Sequence, residues 1–225
     1  MYLNDKQARR DIVEAGHKLY QRGYVAANDG NISAKMADGT VWCTPSGFSK
    51  GSLTEEMLVH IDAEGHILEG DLPVSSEIAL HLAIYRENPT LGGVVHAHSP
   101  GATAWAAYGK PWELAICLDS ALTLGVVPCA PYAVTGSRAL AESAAPFCRD
   151  HTAVLLEHHG AVTWGRDVIQ ALFRTEALEQ TFQIYANQRA FGEVRLLTES
   201  QLDEVELVKK KYGIVNPRAK GRPND

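Results

Sequence analysis

The stretch Gly93-Val94-Val95-His96-Ala97-His98-Ser99 constrains this chain most. A short β-branched run reads as a buried strand, and it ends in two histidines one residue apart. Side chains at i and i+2 of a strand point to the same face. His96 and His98 therefore present two imidazoles side by side at a strand end, an arrangement that suits one divalent metal ion.

Composition limits what such a site can serve. The chain has 225 residues, 45% hydrophobic and 21% charged, which is an ordinary globular balance. Its net charge of −6 argues against a nucleic-acid footprint. Cys43, Cys117, Cys129 and Cys148 form no CxxC pair, so a cysteine-held zinc is not expected. Asp5, Lys6, Arg9, Arg10 and Asp11 crowd the first residues and leave no apolar core for a signal peptide. No apolar run approaches the ~20 residues of a membrane span. The reading is a cytoplasmic protein with free thiols and no membrane partner, one domain over 1–214 and a disordered, polar tail over 215–225.

The periodicities alternate between strand and helix. Ala8, Ile12, Ala15 and Leu19 predict a helix over 5–22, stopped by Gly23. Asp38-Gly39 predicts a hairpin between strands 31–36 and 40–44, and Glu64-Gly65 a second between 59–62 and 66–69. His60 and His66 alternate with apolar residues there and are expected to face solvent. Ser75 or Ser76 would cap a helix running to about Glu87. Ser99-Pro100 opens another, ending at Gly109. Residues 114–135 read as strands and turns, Ser137 caps a helix to about Cys148, and helices follow over 167–188 and 200–212.

Several residue groups carry possible chemistry. Asn28-Asp29-Gly30-Asn31-Ile32-Ser33 is either a loop entering a strand or a glycine-bearing turn that holds an anion. Thr44-Pro45-Ser46-Gly47 is a second small-residue turn. The helix start at Ser75-Ser76-Glu77 suits a phosphate, and Glu77 is either a dipole partner or a metal ligand or base. Strands 152–156 and 161–165 meet at Glu157-His158-His159-Gly160. A third imidazole from this pair would complete a three-histidine set with an open position, as catalytic zinc sites have. Adjacent strand residues point to opposite faces, so only one of His158 and His159 is expected to ligate.

In order along the chain, Gly30-Asn31-Ile32-Ser33, Thr44-Pro45-Ser46-Gly47, Ser75-Ser76-Glu77, Val95-His96-Ala97-His98, Pro128-Cys129-Ala130-Pro131-Tyr132, His158-His159-Gly160 and Lys211-Tyr212-Gly213 resemble the class II aldolase/adducin family. The resemblance spans about residues 8–213 and lies nearest the L-fuculose-1-phosphate aldolase branch. It implies an α/β fold, a three-layer α/β/α arrangement with a mostly antiparallel central sheet. It also implies a homotetramer with active sites between subunits. It implies zinc (Mn²⁺ or Co²⁺ being the other candidates) on His96, His98 and His159, with Glu77 as fourth ligand and catalytic base. The phosphate of a sugar phosphate would sit among Asn31, Ser46, Gly47, Ser75 and Ser76, and Tyr212 would act as general acid in a neighbouring subunit's site. The reaction implied is reversible cleavage of a ketose 1-phosphate to dihydroxyacetone phosphate and a small aldehyde through a metal-stabilised enediolate.

One departure leaves the aldehyde open. The aldolase branch has a tyrosine in the loop before Pro-Cys-Ala-Pro-Tyr, whereas residues 116–122 here contain none. An L-ribulose-5-phosphate 4-epimerase-like enzyme or a sugar-acid phosphate decarboxylase of the same family is one rival. The epimerase pattern wants an aspartate where this chain has Ala121, although Asp119 lies nearby. A non-catalytic adducin-like interaction module is the other rival, and the complete histidine set argues against it.

Overall fold

The structure is a computed structural model that describes residues 4–224. Residues 1–3 of the expected domain and Asp225 of the expected tail lie outside the described residues. In chain order the elements are α1 (Asp5–Gln21), β1 (Asn31–Lys35), β2 (Val41–Cys43), β3 (Val59–Ile61), β4 (Ile67–Glu69), α2 (Ile78–Glu87), β5 (Gly93–Ala97), α3 (Pro100–Ala107), α4 (Leu118–Thr123), β6 (Cys129–Ala130), α5 (Arg138–Ala144), β7 (Ala153–Leu156), β8 (Gly160–Gly165), α6 (Val168–Phe191) and α7 (Glu199–Tyr212).

The strands form one sheet in the order β4-β3-β2-β1-β5-β8-β7-β6. Among the described residues, β6–β7 is the one parallel pairing of this sheet's strands, and the other neighbouring pairs are antiparallel. Strand alternation sends apolar side chains to both faces. Val94, Val154, Leu156, Val162 and Trp164 pack with α2 and α5 on one face. Ile32, Trp42, Val95 and Ala97 pack with α1 and α6 on the other. Ala153, Leu155 and Ala161 extend that second face under α3 and α6. The central strand β5 is thus buried from both sides. No helix among the described residues is long and apolar enough to cross a membrane.

Four local expectations are corrected. Residues 118–123 form a helix rather than strand and turn. Its length is under two turns, too short for periodicity to show inside an apolar stretch. The helix capped by Ser137 ends at Ala144, and 145–149 tighten into a 3₁₀ turn. Pro146 has no N–H to continue the α-helical hydrogen-bond ladder. His60 does not face solvent freely. Its ring stacks on Trp42 with centroids 4.5 Å apart, and its Nε2 meets Thr40 Oγ1 at 2.8 Å. The segment 215–224 is not a loose tail in the structure. Ala219 is buried in a small apolar cluster with Leu202 and Val205 of α7. Lys220 and Arg222 add bridges beside Leu114 and Thr198, and Arg218 pairs with Glu199 and Asp203. Polar composition alone hid one buried alanine and a set of backbone hydrogen bonds.

Candidate active site

Three neighbouring strands converge on one edge of the sheet. Asn31, the first residue of β1, lies opposite His96 of β5, and His96 lies opposite Val162 of β8. His98 follows β5 by one residue, and His159 stands just before β8. Glu77 caps α2 at the same edge. The cap position belongs to Glu77, not to Ser75 or Ser76, and its side chain makes no capping bond. Its carboxylate turns inward instead.

Two glycines make this convergence possible. A Cβ on Gly30 would lie 2.7 Å from the His96 carbonyl oxygen, and Gly30 has φ +72°. A Cβ on Gly160 would lie 2.7 Å from the Ala97 oxygen and 2.8 Å from His98 Cδ2. Any larger residue at either place pushes the histidine strand away.

The three rings of His96, His98 and His159 have centroids 4.7–4.9 Å apart, and one nitrogen from each lies within 4.8 Å of the others. His158 is not in this set. It sits in the turn, not in a strand, with φ 57°. Turn geometry, rather than strand alternation, is what separates the two histidines. Glu77 Oε2 lies 3.2 Å from His96 Nε2, and Oε1 lies 3.4 Å from His159 Nε2. Asn31 Nδ2 donates to Oε2 at 3.0 Å and the Thr135 hydroxyl to Oε1 at 2.8 Å. Burial pushes the Glu77 carboxyl up; imidazolium charge on His96 and His159, with the Thr135 hydroxyl, outweighs it and holds the carboxyl well below the usual carboxylate range. Burial, reinforced by His96, lowers His159 to about 4.

This donor set fits a metal cation. His96 Nδ1 lies 3.0 Å from the Ala161 carbonyl, which can only accept, so the proton belongs on Nδ1 and the Nε2 lone pair faces inward. His98 Nδ1 faces the Asp29 carboxylate at 3.5 Å, which selects the same tautomer. The two Nε2 atoms then lie 2.9 Å apart with lone pair against lone pair, beside a carboxylate. Neutral acceptors repel one another in that arrangement, and a divalent cation between them reverses the sign. The nitrogen-rich set is of the type that zinc takes.

His81 shows what a histidine outside the set does. It does not pair with Glu77 one turn away. Its Nδ1 bonds Ser33 Oγ at 2.7 Å, and burial lowers it to about 3. It is a neutral core group.

The histidine cluster and the small-residue turns share a single cavity. Asn31, Ser46, Gly47, Ser75 and Ser76 all line a pocket of about 370 Å³, together with Glu77, His98 and His159. Every expected phosphate-holding residue is therefore beside the histidine cluster. Tyr212 is not: it is 66% exposed at the end of α7 and lines no part of this cavity. Three other lining residues escaped sequence reasoning. Asp29 and Thr135 lie in turns with no period to mark them, although Asp29 belongs to the loop flagged as an anion holder. Lys50 reads as an ordinary surface charge, and no local signal distinguishes it.

Residues 10–186 match the Class II Aldolase and Adducin N-terminal domain family. A 3-oxo-tetronate 4-phosphate decarboxylase from Haemophilus influenzae is 32% identical over 91% of this chain and 98% of its own. A 5-deoxy-D-ribulose 1-phosphate aldolase from Bacillus thuringiensis serovar kurstaki is 34% identical over 92% of this chain and 96% of its own. A solved L-fuculose 1-phosphate aldolase superposes with a TM-score of 0.84 at 28% identity, covering 94% of this chain and 98% of its own. The chain belongs to the class II aldolase and adducin family, and it stands among that family's enzymes.

Proposed function

We propose that the protein is a metal-dependent aldolase that reversibly cleaves a ketose 1-phosphate, of the L-fuculose-1-phosphate kind, to dihydroxyacetone phosphate and a small aldehyde. One observation carries the reading. A buried carboxylate, Glu77, stands beside a three-histidine cluster and a cradle of small polar residues in the same cavity. His96, His98 and His159 would hold the cation, with Glu77 as a fourth ligand before substrate arrives. The cation, when bound, supplies Lewis-acid polarisation of substrate oxygens.

The chain's own residues do the rest. Asn31, Ser46, Gly47, Ser75 and Ser76 seat the phosphate, which fixes the reacting carbon near Glu77. Glu77 takes the proton from that carbon, and Asn31 and Thr135 hold its two oxygens in place meanwhile. Tyr212, exposed and outside its own chain's cavity, serves the site of a neighbouring copy and gives a proton to the aldehyde oxygen. The reading therefore includes a homotetramer. Four cysteines without disulfides suit the cytoplasm.

A second reading, decarboxylation of a 3-oxo acid phosphate, is favoured by the decarboxylase relative of equal similarity and by the missing tyrosine in 116–122. The same cradle and cluster serve it. Incubating metal-loaded protein with dihydroxyacetone phosphate and a panel of aldehydes, lactaldehyde, acetaldehyde and glycolaldehyde included, is expected to give aldol adducts by mass spectrometry. No adduct, with CO₂ released from 3-oxo-tetronate 4-phosphate, decides for the decarboxylase.

The ligand assignment has its own test. His159→Ala is expected to weaken metal binding by more than the roughly 10–100-fold that a removed supporting residue costs, and His158→Ala is expected to keep wild-type metal content. Elemental analysis after dialysis reads both. The reverse pattern overturns the assignment.

A further inference from the structure

Lys50 is a buried cation with no acidic partner. It is 1% exposed. Its Nζ donates to the carbonyl oxygens of Asn28 at 3.1 Å and Phe48 at 2.9 Å. An ammonium has three donors, so these carbonyls leave one over. Among the described residues no carboxylate reaches ion-pair distance of it. Burial lowers its ammonium to about 8, and Asp29 pulls the other way. A charge held this deep without a counter-ion is costly to the fold.

Its place explains the cost. The two carbonyls belong to the two turns that supply Asn31 on one side and Ser46 and Gly47 on the other. Lys50 ties these turns together from behind and lines the cavity they form. The cradle otherwise contains hydroxyls and amides, which favour an oxyanion but cannot neutralise a dianion. Asp29, at the same cavity, makes its field more negative still.

We propose that Lys50 is the charge-neutralising residue of the cradle, so that the site accepts doubly charged phosphate esters and discriminates against their unphosphorylated counterparts. The inference rests on the cradle being the phosphate subsite of the proposed reaction. In this view the unliganded protein carries the lysine at the expense of stability, and the phosphate supplies the missing partner.

The test uses the full-length, metal-loaded protein and inorganic phosphate. Wild type is expected to bind phosphate by calorimetry and to melt higher in its presence. Lys50→Met removes a buried charge but leaves the Asn28 and Phe48 carbonyls without their donor, so it is expected to fold and to melt close to the wild-type temperature without phosphate. Its phosphate affinity is expected to fall at least ~30-fold, its phosphate-induced shift in melting temperature to vanish, and its metal content to stay unchanged. Lys50→Gln carries the same test if the methionine variant does not fold. Wild-type protein that ignores phosphate removes the cradle reading and this proposal with it. Phosphate binding that is equal in wild type and Lys50→Met overturns the role of Lys50 alone. Failure of both variants to fold also overturns it, since the charge would then serve the fold.

Discussion

Replacing Glu77 by glutamine is expected to leave the protein folded and able to bind metal, while proton abstraction falls by ~10²–10⁴. Three imidazoles remain to hold the cation after the change, so the cluster keeps enough donors. The amide matches the carboxylate in shape and can still accept from Thr135, which donates to Oε1 at 2.8 Å. What it cannot do is accept a proton from carbon. It also turns a donor toward Asn31, whose Nδ2 is itself a donor to Oε2, so the local network must shift. Loss of tritium from stereospecifically labelled dihydroxyacetone phosphate measures the step without any aldehyde. Exchange at the wild-type rate in Glu77→Gln would remove Glu77 from the role of base.

Tyr212→Phe is expected to separate the two halves of the reaction. Deprotonation of dihydroxyacetone phosphate needs the metal and Glu77, whereas making or breaking the carbon–carbon bond also needs an acid at the aldehyde oxygen. The variant should therefore keep its metal, its assembly and its tritium exchange, and lose aldol cleavage by ~10²–10⁴, the usual worth of a positioned general acid. Tyr212 stands at the last position of α7, followed by Gly213 in the left-handed conformation, with the Lys211 ammonium 5.3 Å above its ring. A packing role would affect stability and leave cleavage intact. Mixing Tyr212→Phe with Glu77→Gln protomers should restore part of the activity, because a hybrid interface pairs an intact base with an intact acid. Wild-type cleavage by the single variant, or no restoration where hybrids demonstrably form, rules out an acid shared between subunits.

The parts of this molecule that were legible in advance are those written in a single period. His96 lies in β5 and His98 directly follows it, so the strand ends where their spacing puts it. The helices over Asp5–Gln21 and Val168–Phe191 follow from short-range patterns. The parts that were not legible depend on distant partners. Nothing near Lys50 in sequence tells that two turns will close over it, and nothing near Thr135 tells that its hydroxyl will reach Glu77, 58 positions away. Short elements fared similarly. The helix Leu118–Thr123 is fixed by packing against α7 through Ala121, Leu202 and Val205, a contact spanning some eighty residues of chain. The ordering of 215–224 has the same origin: Ala219 and the bridges to Leu114 and Thr198 exist only after the rest has folded.

The register Asn31↔His96 and His96↔Val162 also sets the order of assembly. β1, β5 and β8 are far apart in sequence, and such pairings close late because loop entropy must be overcome first. A slip of one residue in either pairing would turn His96 to the opposite face of the sheet. A cation held as proposed by His96, His98 and His159 would therefore have no complete site until the central strands are paired in their final alignment. Unlike a zinc finger, in which the metal drives folding of a short chain, this centre is a product of folding. Metal uptake during refolding should accordingly lag behind sheet formation, and a chromogenic chelator competing for the ion would time the moment at which the middle of the sheet reaches its native alignment.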